Sequence, residues 1–185
     1  MLDDLVSQYL KGCDQHDDSR DSCCMRGACC ADEFPPMGTI EDAIRIAALS
    51  VRKNGKIHSH QCSIRKGGRE LLAQLLRRCA GDIAACKNFD KLYDTIWLHK
   101  CKGVGELFAY DVALRIAEGF LGISPDKVYL HAGSAKGAKK LIKKDMLKRR
   151  VDPMAFPEAI WRRLSCPQIE DFLCIFCDSL PVRAS

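Results

Sequence analysis

From residue 102 the chain reads Lys102-Gly103-Val104-Gly105-Glu106-Leu107-Phe108-Ala109-Tyr110-Asp111-Val112-Ala113. Two glycines that flank one apolar residue allow a sharp turn, because glycine lacks the Cβ that restricts other residues. Apolar residues recur at helical spacing on both sides of this turn and predict two amphipathic helices. These residues are Phe89, Leu92, Tyr93 and Ile96 before the turn, and Leu107, Tyr110, Ala113, Leu114, Ala117 and Leu121 after it.

Polar residues near the helix ends support this interpretation. Asn88 is suited to cap the first helix, and Asp111 and Arg115 have the i,i+4 spacing of an ion pair, expected on the exposed face of the second. The first amides of a helix have no partner within the helix and favour an anion. A nucleic-acid phosphate is the natural candidate for that anion.

The order of helix, Gly-Val-Gly turn and helix, with Ala109 four residues beyond Gly105, resembles the helix-hairpin-helix motif of DNA-repair proteins. The following segment, residues 127–133, is similar to the extended segment of DNA glycosylases of the endonuclease III and adenine glycosylase type. The resemblance covers residues 87–141 and implies a helical domain that binds double-stranded DNA.

Two positions depart from that family. Its chemistry depends on an aspartate at the end of the extended segment and, in lyase members, on a lysine two residues after the second glycine. This chain has His131 and Leu107 at those positions. The resemblance therefore implies DNA binding more strongly than excision of a damaged base.

If the chain is a DNA glycosylase, a hydrolase of the N-glycosidic bond, His131 is expected to orient water beside a flipped base. Asp111 or Asp126 is then expected to stabilise the sugar cation, and Asp145 is a further candidate. A working His131 base predicts activity that rises with pH through the neutral range. Two alternatives stay open: a non-enzymatic DNA-binding module, and a cysteine-based metal or redox sensor that binds DNA.

The charge distribution also favours nucleic acid. Residues 51–150 contain 22 basic and nine acidic residues, and only Asp145 is acidic between Lys127 and Arg150. Such a patch favours phosphate because binding releases condensed counterions. We call residues 127–150 the basic segment, and we expect it to form a single DNA-binding face with the turn. Its predicted contacts are Lys102, Gly103, Val104, Gly105, Lys136, Lys139, Lys140, Lys143 and Lys144.

Length and composition predict the organisation of the chain. The 185 residues, 47% of them hydrophobic, suit one ordinary core. We interpret residues 1–38 as an acidic, cysteine-rich amino-terminal segment and residues 39–185 as a helical domain, with the hairpin at about 88–121.

No apolar run approaches the length of a membrane span, and the amino terminus is acidic. We therefore expect no membrane partner and a cytoplasmic protein, associated with the nucleoid in bacteria or located in the nucleus in eukaryotes.

Twelve cysteines raise the question of a metal. Cys13, His16 and two cysteine pairs at positions 23–24 and 29–30 could hold zinc or an iron–sulfur cluster, or could be plain thiols. Cys166, Cys174 and Cys177 resemble an incomplete form of the iron–sulfur loop in endonuclease III relatives. Neither spacing is a standard one, so we expect no cofactor.

The remaining signals predict an all-α fold. Thr39 with Asp42 indicates a helix start, and Pro167 begins an apolar carboxyl-terminal helix. Residues 128–130 are the one strand candidate. Between these elements, His58, His60 and Gln61 could line a catalytic or metal site, or could cap helices or contact phosphate.

Overall fold

The computed structural model describes residues 1–14, 34–58, 61–62 and 64–182. Of these residues 61% are helical and 4% are in strands, which confirms the predicted all-α class. The helices are α1 Leu2–Asp14, α2 Ile40–Leu49, α3 Lys66–Arg78, α4 Ala80–Ala84, α5 Phe89–Leu98, α6 Glu106–Ile116, α7 Ala132–Leu141, α8 Glu158–Trp161 and α9 Cys166–Ile175. Strands β1 Val128–Tyr129 and β2 Arg150–Val151 pair antiparallel.

The chain divides into two compact units. The terminal unit comprises residues 1–28 and 126–185, and the central unit comprises residues 29–125. The sequence did not indicate the division at residue 125. The predicted boundary at residue 38 stays a prediction, because residues 15–33 lie outside the described part of the chain.

In the central unit, the predicted helix caps are confirmed. The Thr39 hydroxyl accepts a hydrogen bond from the Asp42 amide at 3.1 Å, and the Asn88 side chain accepts one from the Lys91 amide at 2.9 Å. All four apolar residues of the predicted stripe on α5 are buried. The caps and this stripe therefore place α2 and α5 where the sequence predicted them.

The second stripe differs from the prediction. Leu107 is 43% exposed, whereas every other residue of α6 from Phe108 onward is buried, except Asp111, whose side chain is 12% exposed. The helix packs against both α2 and α5, so it has no broad exposed face. The predicted location of the Asp111–Arg115 ion pair on an exposed face is therefore wrong.

The terminal unit contains a helix that the sequence analysis did not predict. Val6 and Tyr9 of α1 belong to a core that also includes Phe172 of α9, and the Tyr9 hydroxyl donates to Asp171 Oδ2 at 3.0 Å. Helix α7 lies so close to α9 that a Cβ at Gly137 would overlap the Leu173 backbone. The absence of a side chain at Gly137 therefore allows α7 and α9 to pack as closely as this core requires.

The strand prediction for residues 128–130 is confirmed over β1, which pairs with a strand of equal length. Among the helices that the structure describes, none combines the length and the apolar character that crossing a bilayer requires.

Candidate nucleic-acid interface

The turn between α5 and α6 has the tight geometry that its glycines suggested. The Val104 amide donates to the Cys101 carbonyl at 3.0 Å, and the Val104 side chain is buried at 7% exposure. Lys102, Gly103 and Gly105 are exposed. The buried valine therefore fixes the turn on the central unit, while the backbone at both glycines remains accessible.

The two glycines have different conformational roles. Gly103 has φ +87°, in the left-handed region that favours glycine, whereas Gly105 has φ −88°, which any residue can adopt. A Cβ at Gly105 would meet no atom of the described residues within 4 Å. The backbone requirement for glycine thus lies at position 103, and a side chain at position 105 would project into open space.

Gly105 is also the N-cap of α6, and glycine has no side chain with which to cap the first amides. These amides lie beside the exposed turn, as an anion site requires. Glu106 adds a carboxylate to the same helical turn. A carboxylate at this position counts against the predicted anion site.

Lys100 is a cation near the turn that the sequence analysis missed. Its Nζ lies 4.0 Å from the centroid of the Trp97 ring, at the carboxyl end of α5. The i,i+3 spacing of tryptophan and lysine was an available signal, because such residues are neighbours on a helix. Together with the exposed Lys102, Lys100 makes the surroundings of the turn basic.

The five predicted lysine contacts of the basic segment fall into two groups. Lys139, Lys143 and Lys144 are exposed and form no ion pair with a described residue. Lys136 Nζ instead lies 2.6 Å from Asp178 Oδ1, and Lys140 Nζ donates to the Asp178 carbonyl at 3.0 Å and to the Leu180 carbonyl at 3.3 Å. Lys139, Lys143 and Lys144 are therefore the better candidates for contact with phosphate, because Asp178 and Leu180 already engage the other two lysines.

The turn belongs to the central unit and the basic segment to the terminal unit. Their common DNA-binding face remains a prediction. The three candidate catalytic residues are divided in the same way, with Asp111 in the central unit and Asp126 and His131 in the terminal unit.

Asp111 lies in a buried polar network. The Gln61 side-chain amide donates to Asp111, and Arg115 donates to Gln61 Oε1 at 2.9 Å. The Arg115 guanidinium lies 3.9 Å from the Asp111 carboxylate and also donates to Ser50 Oγ at 3.1 Å. This arrangement satisfies buried charges, which is a structural role for Asp111.

Two of the three polar residues predicted between α2 and α3 lie in the described part of the chain, and both are buried. His58 is buried, and its ring stacks on Phe34 with the centroids 6.2 Å apart. Gln61 is the bridge between Asp111 and Arg115. His60 lies outside the described residues, so a site formed by these three side chains stays a prediction.

His131 immediately precedes α7, and its backbone N–H donates to Ser134 Oγ at 2.9 Å. Burial lowers the pKa of the imidazole from 6.5 to about 4, and the positive charge of Arg149 acts in the same direction. The ring is therefore neutral at pH 7. A base with this pKa gives no rise in activity across the neutral range, in contrast to the expectation from the sequence.

The other two acidic candidates are on the surface. Asp126 precedes β1, and Asp145 lies in a short 3-10 helix at Lys144–Met146; both are exposed. Both carboxylates are therefore in contact with solvent, whereas catalytic carboxylates commonly lie in desolvated surroundings.

The predicted metal ligands are only partly described. His16 and the cysteines at positions 23, 24, 29 and 30 lie outside the described residues. Within the part of the chain that is described, no three His, Cys, Asp or Glu side chains are grouped so that they could hold a metal ion. The zinc and iron–sulfur hypotheses for the amino-terminal residues stay predictions.

Comparisons with protein-family models, with curated proteins and with solved structures gave no match. Function therefore has to be inferred from the residues and their geometry.

Proposed function

We propose that this chain binds double-stranded DNA by placing the turn of residues 102–105 against a backbone phosphate, as the resemblance to helix-hairpin-helix proteins implies. The observation that carries the proposal is the turn itself. Val104 is buried, Gly103 has a positive φ, and Gly105 caps α6 without a side chain. This combination leaves backbone amides accessible to an anion.

The exposed residues at the turn indicate the kind of contact. Glycines have no side chain that could read a base edge, and the neighbouring cations, Lys100 and Lys102, suit phosphate. Binding through this turn is therefore sequence-independent. Lys139, Lys143 and Lys144 supply further phosphate contacts from the terminal unit and make affinity dependent on salt.

The candidate catalytic residues favour a binding module over a glycosylase. Asp111 is engaged by Gln61 and lies beside Arg115, and His131 has buried ring nitrogens and a neutral ring. The contacts of Asp111 suit a structural role, and the pKa of about 4 makes His131 a weak base at neutral pH. Incubation with duplexes that carry a panel of damaged bases, with binding and abasic sites measured in the same samples, separates the two functions.

Gly105→Val is expected to weaken duplex binding by about tenfold or more. Its side chain would separate a phosphate from the α6 amides, and hydrogen bonds to charged groups contribute about 1.5–3 kcal/mol each. The fold is expected to tolerate the change, because position 105 has an ordinary φ and open space. The measurement is a binding titration on a fluorescent duplex, after thermal unfolding has confirmed that the variant is folded.

Gly38→Val is the matched control, since Gly38 is exposed and a Cβ there would also meet no described atom within 4 Å. Glu106→Gln provides a change in the opposite direction and should strengthen binding. Equal affinity for wild type and a folded Gly105→Val protein would exclude the turn from the interface.

Lys143→Ala combined with Lys144→Ala is expected to flatten the plot of log affinity against log salt concentration. Each phosphate contact contributes about 0.9 to the slope, so the loss should be up to about 1.8. Titrations at four or more salt concentrations, with single-stranded DNA and RNA as competitors, give the slope and the preference for duplex.

The control for this pair combines Lys11→Ala and Lys53→Ala, which remove the same charge from exposed positions outside the basic segment. If both double variants change the slope equally, net charge rather than location governs binding, and the basic segment has no special role.

A further inference from the structure

Two cysteines stand three residues apart where α9 ends. Cys174 is exposed in the last turn of the helix, and Cys177 is half-buried in the turn that follows; neither forms a disulfide with a described residue. Residues at i and i+3 of a helical turn have Cβ atoms about 5–6 Å apart, whereas a disulfide requires about 3.5–4.5 Å. Cys177 lies beyond the last residue of α9, so a disulfide requires this turn to bring the two Cβ atoms closer by about 1 Å or more.

The third cysteine of the region is a poor partner for either of them. Cys166 lies in the first turn of α9, eight residues and therefore about 12 Å along the axis from Cys174. Burial also raises the pKa of Cys166 to about 11, which keeps it a thiol at neutral pH. Distance therefore selects Cys174 and Cys177, and the raised pKa of Cys166 further disfavours that residue as the attacking thiolate.

The backbone directly after Cys177 holds two lysines of α7. Asp178 binds Lys136 through its carboxylate at 2.6 Å and Lys140 through its carbonyl at 3.0 Å. The Leu180 carbonyl accepts a second bond from Lys140 at 3.3 Å. Hydrogen bonds weaken steeply when their atoms move apart by half an ångström or so, and disulfide closure moves Cys177 by about 1 Å or more. The turn that a disulfide would have to move is thus the turn that binds Lys136 and Lys140.

We propose that Cys174 and Cys177 form a redox dithiol whose oxidation to a disulfide releases Lys136 and Lys140 from the turn of residues 177–180. The oxidant is a small disulfide such as glutathione disulfide. The exposed Cys174 thiolate attacks it, forms a mixed disulfide and expels one glutathione thiolate; the Cys177 thiolate then attacks the Cys174 sulfur and expels the second. Two thiol protons leave the protein, and two electrons pass to glutathione disulfide.

Formation of the disulfide does not depend on the proposed function. Its effect on DNA binding rests on the proposed function, because it requires that lysines contact phosphate. Released lysines become available to phosphate, so the disulfide form should bind duplex DNA with a steeper dependence on salt. The expected increase in slope is up to about 0.9 for each released lysine.

The first test equilibrates the full chain with mixtures of reduced glutathione and glutathione disulfide, blocks remaining thiols by alkylation, and maps tryptic peptides by mass spectrometry. The peptide of residues 164–183 contains all three cysteines of α9 and its following turn. We expect it to lose two hydrogen atoms and to show a Cys174–Cys177 link by fragmentation. Cys166→Ser should retain this link, and Cys177→Ser should abolish it. A reduced peptide at high glutathione disulfide, or a link that involves Cys166, would overturn the proposal.

The second test compares the salt dependence of duplex binding for the reduced and oxidised chain. Cys177→Ser should bind alike under both conditions, which controls for oxidation of other cysteines. Asp178→Asn in the reduced chain should reproduce part of the steeper slope by removing the ion pair with Lys136. A linked peptide with an unchanged slope would refute the coupling to the lysines. Absence of duplex binding in both redox states would refute the proposed function and leave the dithiol standing.

Discussion

Asp111→Ala is expected to lower the free energy of unfolding by about 3–5 kcal/mol, the range for removing one partner of a buried ion pair. The substitution leaves the Arg115 guanidinium buried without its neighbouring carboxylate and deprives the Gln61 amide of its acceptor. Urea denaturation of wild type and variant at neutral pH gives the difference directly.

A matched apolar replacement separates this structural role from a catalytic one. Asp111→Leu combined with Arg115→Met and Gln61→Met exchanges the whole polar network for apolar side chains and leaves no buried amide without a partner, so it should restore most of the stability that Asp111→Ala loses. If Asp111 were instead a catalytic acid, Asp111→Ala would abolish base release and leave stability near that of wild type. Base release and urea denaturation measured on the same preparations discriminate between these results.

Acidification should destabilise the protein through His131. The folded state has a pKa of about 4 for this imidazole, below the value of 6.5 for an unburied histidine. Above pH 6.5 both states hold a neutral ring, and the contribution to stability is fully present. As the pH falls from 6.5 towards 4, the unfolded chain takes up a proton that the folded chain does not, so stability is lost. The pKa difference corresponds to about 3 kcal/mol over this window.

His131→Gln removes the titrating group while retaining a polar side chain of similar reach. Its unfolding free energy, measured by urea denaturation between pH 4 and pH 7, should therefore fall less steeply than that of wild type. Equal pH dependence in the two proteins would show that the His131 ring titrates alike in the folded and unfolded chains. Base release from wild type that rises between pH 6 and pH 8 and vanishes in His131→Gln would restore the catalytic role that the sequence suggested.

Local signals in the sequence were sufficient to predict the elements that are defined by residues close together along the chain. Thr39 and Asn88 cap helices because a side-chain oxygen reaches amides two or three residues away, wherever the helix packs. Helical periodicity located α5, α6 and α9 for the same reason, and the glycines at positions 103 and 105 marked the turn. The all-α class and the turn that carries the proposed function could thus be predicted from neighbours along the chain.

Tertiary structure decided the properties that depend on residues distant in sequence. Asp111 and Arg115 showed their i,i+4 spacing, but only the packing of α6 against α2 and α5 buried the pair and brought Gln61 to it. Spacing fixes which neighbours along a helix can meet, whereas burial depends on what packs against them. The low pKa of His131 is likewise a consequence of desolvation, which cannot be inferred from the neighbouring residues in the sequence. The sequence by itself therefore determined α2, α5, α6, α9 and the turn of residues 102–105, and the tertiary structure decided which charged residues lie at the surface and which belong to the core.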